Sequence, residues 1–210
     1  MEYSCASGRA SNGNQGVRLA GRRFAVHTND FISKGVRFAF LLGLVLCLKF
    51  RGLAQDAPPT EYQIKAAYLF NFAKFVQWPE PSSANPSSPM IFGVLGDNVF
   101  QDDLEKTIHG KAINQHPLEF REFHSVAEAT NCQILFISPS EVKRLPEILQ
   151  NLRGTGVLTV SEMDHFVEAG GMINFVIEEK KVRFQINNEA AKKAGLQISS
   201  KLLSLAVDSH

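Results

Sequence analysis

Three short apolar runs constrain this chain more than any other feature: Met90-Ile-Phe-Gly-Val-Leu95, Ile134-Leu-Phe-Ile137 and Val157-Leu-Thr-Val160. A strand that is apolar at nearly every position has both faces covered, whereas a half-exposed strand alternates. Helix signals lie between the runs. Asp97 or Asn98, just after Gly96, can cap a helix through about Lys106. Ser140 in Ser138-Pro-Ser-Glu141 can cap another, which Gly154-Thr-Gly156 breaks. Leu118 to Phe123 alternates weakly and reads as a further strand. Strands and helices alternating at this spacing predict an α/β domain with a mixed, mostly parallel sheet and helices on both faces.

The flanks of this region carry their own patterns. Thr60-Glu-Tyr-Gln63 has the form of a capping box and opens a long helix that runs to Trp78, before Pro79. Gln63, Asn71, Lys74 and Gln77 form its polar stripe. Pro79 to Pro89, with four prolines and four serines, reads as a loop. Near the other end, Met172–Ile177 and Val182–Asn187 read as a C-terminal antiparallel hairpin around the charged loop Glu178-Glu-Lys-Lys181. That loop pairs Ile177 with Val182, Phe175 with Phe184 and Ile173 with Ile186 on one apolar side. The other side collects Asn174, Arg183 and Gln185, the candidate anchors for a partner or ligand. His165 and Phe166, in the segment Met163 to Ala169, are expected to be exposed and to join them. Asn188 to Ala194 and Ser199 to Ala206 read as closing helices, with Gly195 ending the first.

Charge divides the chain. Its net charge of +1 conceals eight basic and two acidic residues over 1–54, against fourteen basic and nineteen acidic over 55–210. A net −5 on the second part disfavours nucleic acid as a partner. Within the first part, Phe38 to Leu48 is an uncharged apolar run of eleven residues preceded by Arg22, Arg23, Lys34 and Arg37. As a helix it would reach only about 16 Å, roughly half of a hydrocarbon core. Residues 1–54 therefore read as an export signal, with Gly52-Leu53-Ala54 preceding a cut at Gln55, and residues 55–210 as one exported domain. Lipidation at Cys47 is the weaker option, because Leu46 stands where a lipoprotein signal wants a small residue.

Catalysis finds little support. The six histidines show no metal-ligand spacing, so no metal site is expected. Ser161, Asp164 and His165 are too close in sequence to build a triad, and Gly154-Thr-Gly156 precedes a strand where a dinucleotide loop would follow one. Asp97 ends a strand, but Gly-Asp-Asn is ordinary turn chemistry. Cys5, Cys47 and Cys132 cannot form a disulfide framework, and Cys132 reads as a buried apolar residue that leaves the fold independent of disulfides. No catalytic residue and no cofactor are predicted.

The segment Ile64-Lys-Ala-Ala-Tyr-Leu-Phe-Asn-Phe-Ala-Lys-Phe-Val-Gln-Trp-Pro79 resembles the opening of the YfiR-like family. Gly170-Gly-Met-Ile-Asn-Phe175, Val182-Arg-Phe-Gln-Ile-Asn187 and Ala194-Gly-Leu-Gln-Ile-Ser-Ser-Lys-Leu-Leu203 extend the resemblance over about residues 60–206. It implies a small periplasmic α/β protein that binds and represses the periplasmic portion of an inner-membrane diguanylate cyclase. It also implies release by an OmpA-like outer-membrane lipoprotein, with cyclic di-GMP, exopolysaccharide and biofilm as the output. Family disulfides do not carry over, because only Cys132 remains after residue 54. A homodimer is left open. The competing reading is a periplasmic small-molecule sensor that uses Asn174, Arg183 and Gln185.

Overall fold

A computed structural model describes residues 58–79 and 88–207. The export-signal reading and most of the proline-rich loop lie outside those residues. Helix α1 (Glu61–Phe75) begins at the predicted capping box. Thr60 Oγ1 accepts from the Gln63 N–H at 3.2 Å, and Gln63 Oε1 accepts from the Thr60 N–H at 3.1 Å. The helix stops three residues before Trp78. Val76 is extended, and β1 (Val76–Gln77) pairs antiparallel with β9 (Gln197–Ile198), so the strand partner captures the last turn.

The main sheet has seven strands in the order β3-β4-β2-β5-β6-β7-β8. They are β2 (Met90–Leu95), β3 (Ala112–Ile113), β4 (His116–Phe123), β5 (Ile134–Ile137), β6 (Leu158–Ser161), β7 (Ile173–Glu178) and β8 (Lys181–Ile186). Strands β4, β2, β5, β6 and β7 run parallel, while β3 and β8 close the edges antiparallel. Helices α2 (Asp103–Ile108), α3 (Val126–Ala129) and α4 (Leu145–Asn151) form the connections, and α5 (Asn188–Lys193) and α6 (Ser200–Leu203) follow the hairpin. Successive residues of β5 divide between two cores: Ile134 and Phe136 pack with α1 and α2, while Leu135 and Ile137 pack with α3 and α4. This is the predicted fold class.

On the α1 side, Tyr68, Phe72, Phe175 and Phe184 form an aromatic cluster with ring centroids 5.1–6.1 Å apart. Fully burying each phenylalanine contributes about 1.5–3 kcal/mol. The cluster ties α1 to the hairpin, whose pairing is as predicted: Ile173 with Ile186, Phe175 with Phe184 and Ile177 with Val182.

Several local expectations are corrected. The hairpin loop is two residues, not four, because Glu178 pairs with Lys181 and the turn is made by Glu179 (φ 50°) and Lys180 (φ 62°). Positive φ at both central residues gives a mirror-image turn, whose twist matches that of the flanking strands. Ile177, expected in the core, is 53% exposed while its partner Val182 is buried, because β6 ends at Ser161 and leaves this part of β7 without a neighbouring strand on one side. Neither Asp97 nor Asn98 caps a helix. Instead Asn98 Oδ1 accepts from the Phe100 N–H at 3.1 Å within a turn, and α2 starts only at Asp103. Ser138, not Ser140, caps the 3-10 helix Pro139–Arg144 that follows β5. The last helix is shorter than predicted, and Val207 leaves it to donate its N–H to the Phe184 carbonyl at 2.9 Å. Cys132 is buried, as predicted, and its Sγ donates to the Ala129 carbonyl.

Candidate functional site

An open sheet of this order reverses direction between β2 and β5, and ligands of such folds sit outside the carboxyl ends of the strands at that point. Here the chain itself fills the place. Gly96, with φ +88°, carries the strand into a turn, and a Cβ on it would lie 2.5 Å from Ser140 Oγ. That hydroxyl accepts the Asp97 N–H at 3.0 Å. The main-chain donor beside β2 that could meet an anion is therefore already occupied.

The open place lies further along the same edge. β6 pairs with β7 only at Val160–Ile173 and Ser161–Asn174, and β7 then continues to Glu178. A cleft of about 440 Å³ opens above the end of β6. It is bordered by Tyr62 and Lys65 from α1, Glu162 and Asp164 after β6, and the β7 run Asn174–Ile177.

Lys65 is the centre of this arrangement. It shares the inward stripe of α1 with Leu69 and Phe72 and is only 3% exposed. A buried ammonium needs partners, and Lys65 Nζ bonds both Glu61, one turn earlier, and Glu162 from the sheet. Tyr62 Oη donates to the other oxygen of Glu162 at 3.2 Å. The ammonium also lies 4.8 Å from the Tyr62 ring centre and 5.9 Å from that of Phe175. Burial alone would depress the Lys65 pKa, but the hydrogen bonds and charges of Glu162 and Glu61 outweigh it and hold the pKa above the usual lysine value. Burial, then the Glu162 charge, raises the Tyr62 pKa, so this side chain stays a neutral phenol and a donor. Pairs of this kind hold geometry more than they add stability, while removing one partner costs about 3–5 kcal/mol.

The five residues singled out from sequence do not form one surface. Asn174 and Gln185 are paired across the hairpin, and Arg183 stands opposite Val176. Arg183 is exposed and Gln185 half-buried, but Asn174 is 3% exposed, not on a solvated face. Its Oδ1 is buried with no hydrogen-bond partner among the described residues. His165 is exposed, in a turn with φ 58°. Phe166 is fully buried, against expectation. A Cβ on Gly171 would come within 2.1 Å of the Phe166 ring, so the second glycine of the pair makes the socket in which Phe166 sits. Lys65 and Glu162 were missed from sequence, although both left a signal. Lys65 falls off the polar stripe of its helix, and Glu162 directly follows a buried strand run.

Cys132 offers no chemistry here. Burial pushes its thiol pKa up to about 12, far from a reactive thiolate. Among the described residues no group of three or more His, Cys, Asp and Glu could hold a metal ion, and no helix is long and apolar enough to cross a membrane.

Fold and site together define a doubly wound α/β domain whose polar groups gather at the carboxyl edge of its sheet. A profile of the YfiR/HmsC-like family matches residues 62–207, and the chain belongs to that family of periplasmic regulators of cyclic di-GMP signalling. A comparison with curated proteins returns no match. Among solved structures, a conserved domain protein from Vibrio cholerae O1 biovar eltor is similar with a TM-score of 0.51 at 10% identity. The similarity covers 72% of this chain and 60% of that one, and at such identity it speaks for the fold alone. An ABC domain in complex with L-Trp from Streptococcus pneumoniae aligns at a TM-score of 0.40 and 13% identity, over 56% of this chain and 54% of the other.

Proposed function

We propose that this protein is exported by the signal in residues 1–54 and binds the periplasmic portion of an inner-membrane diguanylate cyclase, holding it inactive. Family membership over residues 62–207 is the observation that carries the reading. A repressor of this kind needs only to prefer the inactive conformation of its target. About 5.5 kcal/mol of differential affinity moves such an equilibrium from 1:99 to 99:1. Contacts of that strength come from apolar and arginine anchors. The outer hairpin offers both, with Arg183, Lys180 and Lys181 exposed beside Ile177. His165 is available, while Phe166 is withdrawn into the core. Release follows if an OmpA-like outer-membrane lipoprotein competes for the same surface.

The test is genetic and then biochemical. Deleting the gene should raise cyclic di-GMP and matrix production, and deleting the cyclase as well should restore the low level. Arg183→Ala should weaken capture of the cyclase's periplasmic domain without lowering the melting temperature. Unchanged cyclic di-GMP in the single deletion, with the protein expressed and exported, overturns the proposal.

A further inference from the structure

The cleft above β6 is not consumed by the family reading, and its groups are unevenly matched. Glu61, Glu162 and Asp164 bring three carboxylates against the single ammonium of Lys65. Lys65 is already engaged by two of them, and Tyr62 takes the remaining oxygen of Glu162. Asp164, exposed at the rim, forms no hydrogen bond or ion pair among the described residues. The cleft thus keeps two uncompensated negative charges.

A second observation is independent of charge. Asn174 borders the cleft, is 3% exposed and buries an Oδ1 that accepts from nothing among the described residues. An acceptor left without a donor carries the full cost of its lost hydration, so such a position in a native fold calls for a donor. The strand adds to it. Val207 donates to the Phe184 carbonyl, so the main chain of Phe184 turns away from β7, and the Phe175–Phe184 and Ile177–Val182 pairs do not exchange hydrogen bonds. Phe175 and Ile177 therefore turn their main-chain groups to the other side, where the Ser161–Asn174 register gives the Phe175 N–H to Ser161, the last residue of β6, and leaves Ile177 beyond its end. The cleft offers acceptors and negative charge, with Val176 and Ile177 as an apolar flank.

We propose that this cleft binds a small molecule carrying a cationic nitrogen, an ammonium or guanidinium group, with Asn174 Oδ1 accepting its hydrogen bond and Asp164 supplying the opposing charge. An anion is disfavoured because the one cation present is already shared by two carboxylates. Asn174 lies on the same side of the hairpin as Arg183, and the proposal is separable from the cyclase reading because it is tested on the purified protein alone.

Calorimetric titration with putrescine and with methylguanidinium tests it, using the neutral diol of the same chain length as putrescine as control. At least one cation should bind and raise the melting temperature, the diol should do neither, and added salt should weaken the binding. Asp164→Asn changes an exposed side chain and should reduce affinity at least about tenfold. Asn174→Leu should abolish binding while the protein keeps its fold by circular dichroism. Failure of both cations to bind up to about 10 mM overturns the proposal, as does undiminished binding by both folded variants.

Discussion

Two crevices share the carboxyl edge of this sheet, and the chain treats them in opposite ways. Between β2 and β5, donor meets acceptor, with Asp97 and Ser140 bonded at 3.0 Å and Gly96 leaving room for the hydroxyl. Above β6, groups outnumber partners: Lys65 settles two carboxylates, while Asp164 and Asn174 Oδ1 have no counterpart among the described residues. The cause is strand length. β6 ends after four residues, whereas β7 runs for six and overshoots it. Strand order names the first crevice as the binding place, but the mismatch in strand ends decides which crevice is open.

The comparison breaks most completely if the wall between cleft and core is removed. Phe175→Asp or Phe184→Asp puts an unpaired charge into the aromatic cluster and should unfold the domain, while Arg183→Ala should stay within about 0.5 kcal/mol of wild type. Denaturant melts of the three proteins decide this; equal losses would mean that the two faces of the hairpin are not distinct.

Removing the cation from the cleft comes next. Lys65→Ala leaves the half-buried Glu162 without its ammonium partner and should cost about 3 kcal/mol, whereas Lys65→Met, which fills the same space, should be close to neutral once Glu162→Gln accompanies it. The sign of the pH dependence follows from the raised Lys65 pKa. The stabilisation is complete below the unfolded lysine value of about 10.4 and is lost as pH rises through the folded one. Urea melts through neutral pH should show no loss from this group, and an alkaline loss should appear in wild type but not in Lys65→Met.

The filled crevice should answer differently. Gly96→Ala meets both a positive φ and the Ser140 hydroxyl, and should cost about 1–3 kcal/mol. Adding Ser140→Ala should recover only part of this, because the contact is relieved and the backbone strain is not. Full recovery would show that the φ of +88° contributes nothing.

The smallest effect sharpens the contrast. Asn174→Leu deletes a buried acceptor that has no donor, so stability should be unchanged or higher by up to about 1 kcal/mol. A loss beyond about 2 kcal/mol in thermal melts would mean that Oδ1 has a strong protein partner in solution.

Much of the fold was legible in the chain because its signals are local. Buried strands announce themselves as apolar runs, and the Thr60–Gln63 box starts α1 where its spacing says it should. The hairpin register follows from pairing arithmetic that leaves Phe175 and Phe184 on one side. Misreadings fell where a distant segment took over. β9 captured Val76–Gln77 from the helix, and Ser140 reached across to Asp97 instead of capping its own turn. Gly171 opened a socket that drew Phe166 inward.

The candidate site divides along the same line. Composition, periodicity and motif order by themselves determined the α/β class, the family and the absence of any recognisable catalytic spacing. Only the tertiary structure joined Lys65 to Glu162, ninety-seven positions apart, and placed Asn174 against the cleft they border. An ion pair or an orphaned acceptor is a relation between segments distant in sequence. Periodicity reports which face a residue occupies, but not what the folded chain brings to meet it.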